Sequence, residues 1–184
     1  RRFGGAAAAY SLRDIGAMNG PVVTVRRDTG GGAGDDDEET FSAAQVASGA
    51  VEAFVGAGND GFVYKWWDQS GNGNHAIQET DGNQPKIVSS GSLVTESQGK
   101  PAIDMINGTV TKFAMGSEVS VQSMFAVCSV VNVGGTAQCL LNKGGTNNKY
   151  FRFKGSSASF APEAKFTSLT ASGTAISADV GNLV

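Results

Sequence analysis

Residues 66 to 76 read WWDQSGNGNHA, and this run concentrates side chains that can bind or be bound. Asp68 offers carboxylate acceptors, Gln69, Asn72 and Asn74 carry amides, Ser70 a hydroxyl, and His75, the only histidine of the chain, an imidazole. Two chemistries fit this set. Amides that match hydroxyls, beside a Trp ring that stacks on a sugar face, would make a carbohydrate site of Trp67, Asp68, Gln69, Asn72, Asn74 and His75. Alternatively, the same atoms bond the turned backbone, with Gly71 and Gly73 supplying the positive φ of a tight loop and His75 acting structurally. A catalytic His75 would need a positioned nucleophile, and the sequence has no Gly-x-Ser-x-Gly elbow. Asp68, Ser70, Asn72, Gly73 and Glu79 also meet the spacing of a calcium loop. Flanking helices are not expected and His75 stands where such loops hold an aliphatic residue, so chance spacing explains the match better. No metal or cofactor is expected.

Such a loop needs rigid elements beside it. Residues 61–67 (GFVYKWW) read as the strand that feeds it, with Trp66 and Trp67 on opposite faces, one in the core. Residues 21–27 (PVVTVRR) form another strand, and 85–88 (PKIV) a short extended piece that Pro85 assigns to an edge. Residues 102–106 lead into Asn107-Gly108, a two-residue hairpin signal, and 110–115 return. Residues 123–131 are apolar on both faces, as in a central strand, and 132–135 turn the chain back through 136–141. Symmetric pairing there sets Cys128 opposite Cys139, either as buried small hydrophobes or as a disulfide whose dihedral preference suits direct pairing poorly. Residues 150–154 (YFRFK) alternate as a half-buried strand, and weak strands follow near 164–169 and 174–178. Residues 6–12 suit a strand or a helical turn. The one helix expected runs from an N-cap at Thr40 to Val55, weakened by Ser48-Gly49 and ended by Gly56 and Gly58. Residues 30–39 join a glycine cluster to five consecutive acids and read as a mobile acidic loop.

Composition bounds the function. The 184 residues are 40% hydrophobic, enough for one domain with a core, and the 26 glycines with few charges suit short strands and many turns. A net charge of -3 gives no electrostatic footing for nucleic acid or anionic membranes. No apolar run approaches the roughly 20 residues that span a bilayer. Two cysteines are too few for a disulfide scaffold. The ends, RRF and GNLV, suggest a piece of a longer chain.

The succession AAAAYSLR (6–13), VTVRRD (23–28), AFVGAGNDGFVYKWWDQSGNGNHAIQ (53–78), NQPKIV (83–88) and GKPAID (99–104) resembles a known family. It is the concanavalin-A-like, laminin-G or lectin-type domain shared by the catalytic module of fungal-type α-L-arabinofuranosidase B and by phage and prophage tail or fibre proteins. DQSGNGNHA is the specific part. The resemblance implies an all-β fold over 1–184: a jelly-roll sandwich of two antiparallel sheets with one short helix. It also implies a phage virion protein (tail fibre, tail-associated or head-decorating) used for attachment and recognition of host-surface glycan. Its partners would be other virion proteins or its own copies, with neither nucleic acid nor membrane insertion. The alternatives are a glycoside hydrolase of arabinofuranosidase type and a purely architectural virion protein. A retaining hydrolase needs two carboxyl groups about 5 Å apart. None of Asp104, Glu118, Glu163 or Asp179 lies in a segment matching the family's catalytic motif, which favours the non-enzymatic branch.

Overall fold

A computed structural model describes residues 5–16, 19–32, 34–105, 111–115, 138–143, 149–156 and 159–165, the last three stretches as backbone. The described chain is mostly antiparallel β-sheet with short helices, an all-β protein. It divides into two compact units, Arg1–Phe125 and Ala126–Val184.

In the first unit, β1 (Pro21–Asp28) pairs with β2 (Glu38–Ser42) on one side and β3 (Asp60–Trp66) on the other. The far side of β3 is shared. Its end, Lys65 and Trp66, pairs with β4 (Ala76–Ile77), while Gly61 and Phe62 pair with β5 (Lys86–Ser89). Outside these lie β6 (Ser92–Leu93) on β5 and β7 (Ala114–Met115) on β4. Alternation along β1 sends Val23 and Val25 to one face, where they are fully buried with Phe41, Val63 and Val88. Two helices, α1 (Ala43–Ala47) and α2 (Ala50–Val55), add Val46, Val51 and Val55 to this core. This core is packed tightly at Gly61, where a Cβ would lie 2.7 Å from Val55 Cγ2 and 3.1 Å from Val88 Cβ. A side chain there would push the strand off its neighbours.

Several expectations are corrected. The single helix from Thr40 is two helices, and Thr40 is a strand residue paired with Thr24. Ser42 is the N-cap instead, its hydroxyl accepting from Gln45 N while the Gln45 side chain accepts from Ser42 N, a capping box. Gly49, at φ 84°, then breaks the helix. Residues 6–12 are neither strand nor helix. Strand β5 is flanked on both sides, so Pro85 marks no edge. It precedes the strand, so its missing N–H costs no ladder bond, and its carbonyl accepts from Val63 N at 2.7 Å. The two arms of the expected 102–115 hairpin part company: Asp104 bridges Lys86, while Ala114 and Met115 pair with β4. The turn at Asn107-Gly108 lies outside the described residues. In the segment expected as an acidic loop, Glu38 and Glu39 belong to β2.

The second unit holds a three-stranded antiparallel meander, β8 (Gln138–Lys143), β9 (Lys149–Ser156) and β10 (Ser159–Lys165), with β9 central. The expected 150–154 strand lies inside β9. Cys139 stands opposite Arg152 on β9, and Cys128 lies outside the described residues. Glu163 sits in β10, also in register with Arg152. Glu118, Asp179 and the expected 123–131 strand lie outside the described residues.

Candidate functional site

The loop from Asp68 to His75 is the connection of the β3–β4 hairpin. Trp67 N closes the strand by donating to Val22 O at 3.0 Å. The chain then reverses through Gly71 and Gly73, at φ 91° and 75°. Buried Asp68 organises the turn. Its Oδ1 accepts from Ala9 N and Ser70 N, both at 2.8 Å, and its Oδ2 from Ser70 Oγ at 2.8 Å and Asn74 N at 3.0 Å. Burial opposes the charge on Asp68, but these hydrogen bonds outweigh it and hold the carboxyl below its ordinary pKa.

The remaining side chains reach the segment 6–15. Gln69 Oε1 accepts from Ile15 N at 2.9 Å, and its Nε2 donates to Ser11 O and Arg13 O at 2.8 and 3.0 Å. Asn72 Nδ2 donates to Ala6 O and Asn74 Nδ2 to Ala7 O, both at 2.8 Å. In return, the Tyr10 hydroxyl donates to Asn74 O. Burial, then the nearby Asp68 charge, push that phenol up to about 12. His75 Nδ1 accepts from Asp68 N at 3.1 Å, which leaves the proton of the neutral ring on Nε2. The structure therefore brings together all six residues expected to bind ligand, Trp67, Asp68, Gln69, Asn72, Asn74 and His75. Each of the six side chains makes at least one hydrogen bond within the chain. A hollow of about 220 Å³ bordered by Trp67, Asp68, Gln69 and Gly20 lies beside the loop.

The tryptophans divide as alternation requires. Trp66 packs on the core between Tyr10 and Phe113, with ring centroids at 5.5 and 6.0 Å. Trp67 lies on the other face, its Nε1 donating to Thr24 Oγ1 at 2.9 Å. Lys65 Nζ sits 4.6 Å from its ring centroid, and the His75 ring is tilted against it at the same distance.

That outer face carries a second polar assembly, which the sequence did not single out. Thr24 and Arg26 point there from β1 and are only 7% and 6% exposed. Arg26 Nε donates to Gln84 Oε1 at 2.8 Å and Nη1 to Asp36 Oδ1 at 2.6 Å, and its guanidinium lies 5.1 Å from the Phe62 ring centroid. Lys86, bonded to Asp60 at 2.6 Å, approaches the same ring at 5.4 Å. Burial opposes ionisation of Asp60, yet the Lys86 bond keeps its pKa low. Glu38, opposite Arg26 on β2, is shifted up by burial.

The β1–β2 turn is held from within. Asp35 takes hydrogen bonds from Thr29 N and Gly31 N at 2.7 and 2.9 Å, which lower its pKa. Arg27 ties Gly34 O, Phe54 O and Asp37 together. Between this turn and the 3-10 turn Asp81–Asn83 opens a cleft of about 360 Å³, lined by Arg26, Asp28, Asp36, Phe62, Asp81, Gly82 and Gln84. One signal could have pointed to Arg26, though not to the cleft around it. The alternation of VVTVRR sends Arg26 to the face opposite Val25, where an unpaired guanidinium would need carboxylates such as those of 35–39.

No protein-family model, curated protein or solved structure matches the chain.

Proposed function

We propose that this chain is a virion structural protein of a phage, in a tail fibre, tail-associated or head-decorating position. Its concanavalin-A-like jelly roll would serve attachment and recognise host-surface glycan. One observation carries the reading. Two segments that carry the resemblance, AAAAYSLR and the specific DQSGNGNHA, lie 59 to 66 residues apart at their contacts yet are hydrogen-bonded partners, Asn72 Nδ2 donating to Ala6 O and Ala9 N to Asp68 Oδ1. A chance likeness in an Asn- and Gly-rich loop would give no reason for the second segment to supply the first with its partners. The loop supports the lectin-like reading as a fold marker, which leaves recognition to open surfaces elsewhere on the domain. Weak single-site affinity suits a particle displaying many copies.

The test is a glycan array probed with the full chain, run beside an assay for sugar release from aryl arabinosides. Binding without release is expected. Release that one Asp or Glu substitution abolishes would establish the hydrolase alternative. Absence of binding, with particle assembly lost on deletion of the domain, would establish the architectural one.

A further inference from the structure

We propose that the outer-face cleft between the β1–β2 turn and the 3-10 turn is the seat of an uncharged sugar ring, selecting against acidic sugars. The inference rests on the glycan-recognition reading and assigns it a place. Three carboxylates line the cleft, and each is anchored by one oxygen: Asp28 Oδ1 accepts from Gly30 N at 3.0 Å, Asp36 Oδ1 from Arg26 Nη1 at 2.6 Å, and Asp81 Oδ1 from Gln84 Nε2 at 3.4 Å. The Oδ2 atom of each has no hydrogen-bond partner among the described residues. These are oriented acceptors left open.

An independent feature lies among them. The Arg26 side chain is 7% exposed and fixed through Nε and Nη1, while its Nη2 has no hydrogen-bond partner among the described residues. The guanidinium is held by Gln84 and Asp36 yet keeps Nη2 accessible in the cleft of about 360 Å³, where a ligand acceptor would take the place of water. Half-buried Phe62, its ring approached by Arg26 and Lys86, adds apolar carbon to the same wall.

Acceptors and a donor beside apolar carbon match hydroxyl groups, each of which donates one hydrogen bond and accepts others. Charge then decides among sugars. Asp28, Asp36 and Asp81 outnumber Arg26, so the cleft is net negative and repels a uronate or a phosphate.

The test titrates the isotope-labelled full chain with maltotriose, mannotriose, galactotriose and arabinotriose, and with trigalacturonate, while amide shifts are followed. At least one neutral trisaccharide should shift Arg26, Phe62, Asp81 and Gln84, and trigalacturonate should not. Asp28→Asn and Asp81→Asn keep Oδ1 for the inward bond and turn the open acceptor into a donor. Each should weaken binding about tenfold, the loss of one charge-assisted hydrogen bond, with unchanged melting. Shifts confined to Trp67–His75, or affinity indifferent to both variants, overturn the cleft while glycan recognition stands. Binding by none of the neutral probes counts against both. Binding abolished by a chelator would show that a cation holds the sugar, and overturns the direct contact proposed.

Discussion

The hairpin loop at 68–75 and the cleft at Arg26 draw on the same polar vocabulary and put it to opposite use. In the loop, both Asp68 oxygens take two donors each, and every amide side chain reaches a backbone carbonyl of 6–15. In the cleft, each carboxylate is held by one oxygen, and a buried guanidinium keeps Nη2 open. Richness in Asp, Asn and Gln therefore does not mark a binding site. What marks one is hydrogen-bonding capacity left over after the fold has taken its share.

If that contrast is right, breaking the loop should cost far more than breaking the cleft. The largest effect belongs to Asp68→Ala. It strands four donors, three of them backbone N–H groups, and should cost about 3–5 kcal/mol in chemical denaturation, as expected when a buried charged acceptor is removed. A cost below about 1 kcal/mol would dissolve the brace. A pH series gives a second reading of the same group. Because the folded pKa of Asp68 is depressed, its contribution is fully present above the unfolded value near 3.8 and is lost as pH falls through the lower folded value. Asp60, also depressed, adds to that loss. The wild type should therefore destabilise steeply below about pH 4, and Asp68→Ala more shallowly.

Gly34→Ala should come next, since it attacks the turn that flanks the cleft. Gly34 is at φ 75°, and a Cβ there would collide with the Arg27 guanidinium and lie 2.7 Å from Asp37 Oδ2. Arg27 would have to release Asp37 and Gly34 O, at a cost of about 2 kcal/mol in strain and lost bonds. Thermal melting would measure it, and a neutral result would mean that the turn is not held by Arg27. Asn74→Ala, which removes one side-chain bond to Ala7 O at a half-buried site, should cost about 1 kcal/mol in the same assay.

How much of this was legible in the sequence follows the range of the interactions. Strands β1, β3 and β9 declared themselves because alternation is local, and WWDQSGNGNHA declared a tight turn because glycine geometry is local. The start of the helical region was misread because Thr40 and Ser42 are both acceptable caps. The choice fell to the ladder that draws Thr40 into β2 opposite Thr24, and to Gln45, which completes the box for Ser42. The hairpin at 107–108 misled for the same kind of reason. A turn signal says that the chain reverses, but the partner of Met115 was Ala76, set by β3–β4 pairing. The cleft was least legible of all. Arg26, Phe62, Asp81 and Gln84 meet only through the β1–β3 register and the turn after β4, and no local pattern encodes that meeting.

The smallest effect is the most discriminating. Asp81→Asn alters a side chain 59% exposed, 3.6 Å from Arg26 Nε, and that ion pair sits half in water. Such pairs contribute little, so stability should stay within about 0.5 kcal/mol of wild type. A loss of 2 kcal/mol or more would mean that Asp81 is needed to hold the Arg26 charge in place. The cleft would then be a second brace like the loop, with no open capacity to offer a ligand. An unchanged midpoint leaves the Asp81 carboxylate dispensable to the fold and its second oxygen free to accept from a ligand at the cleft.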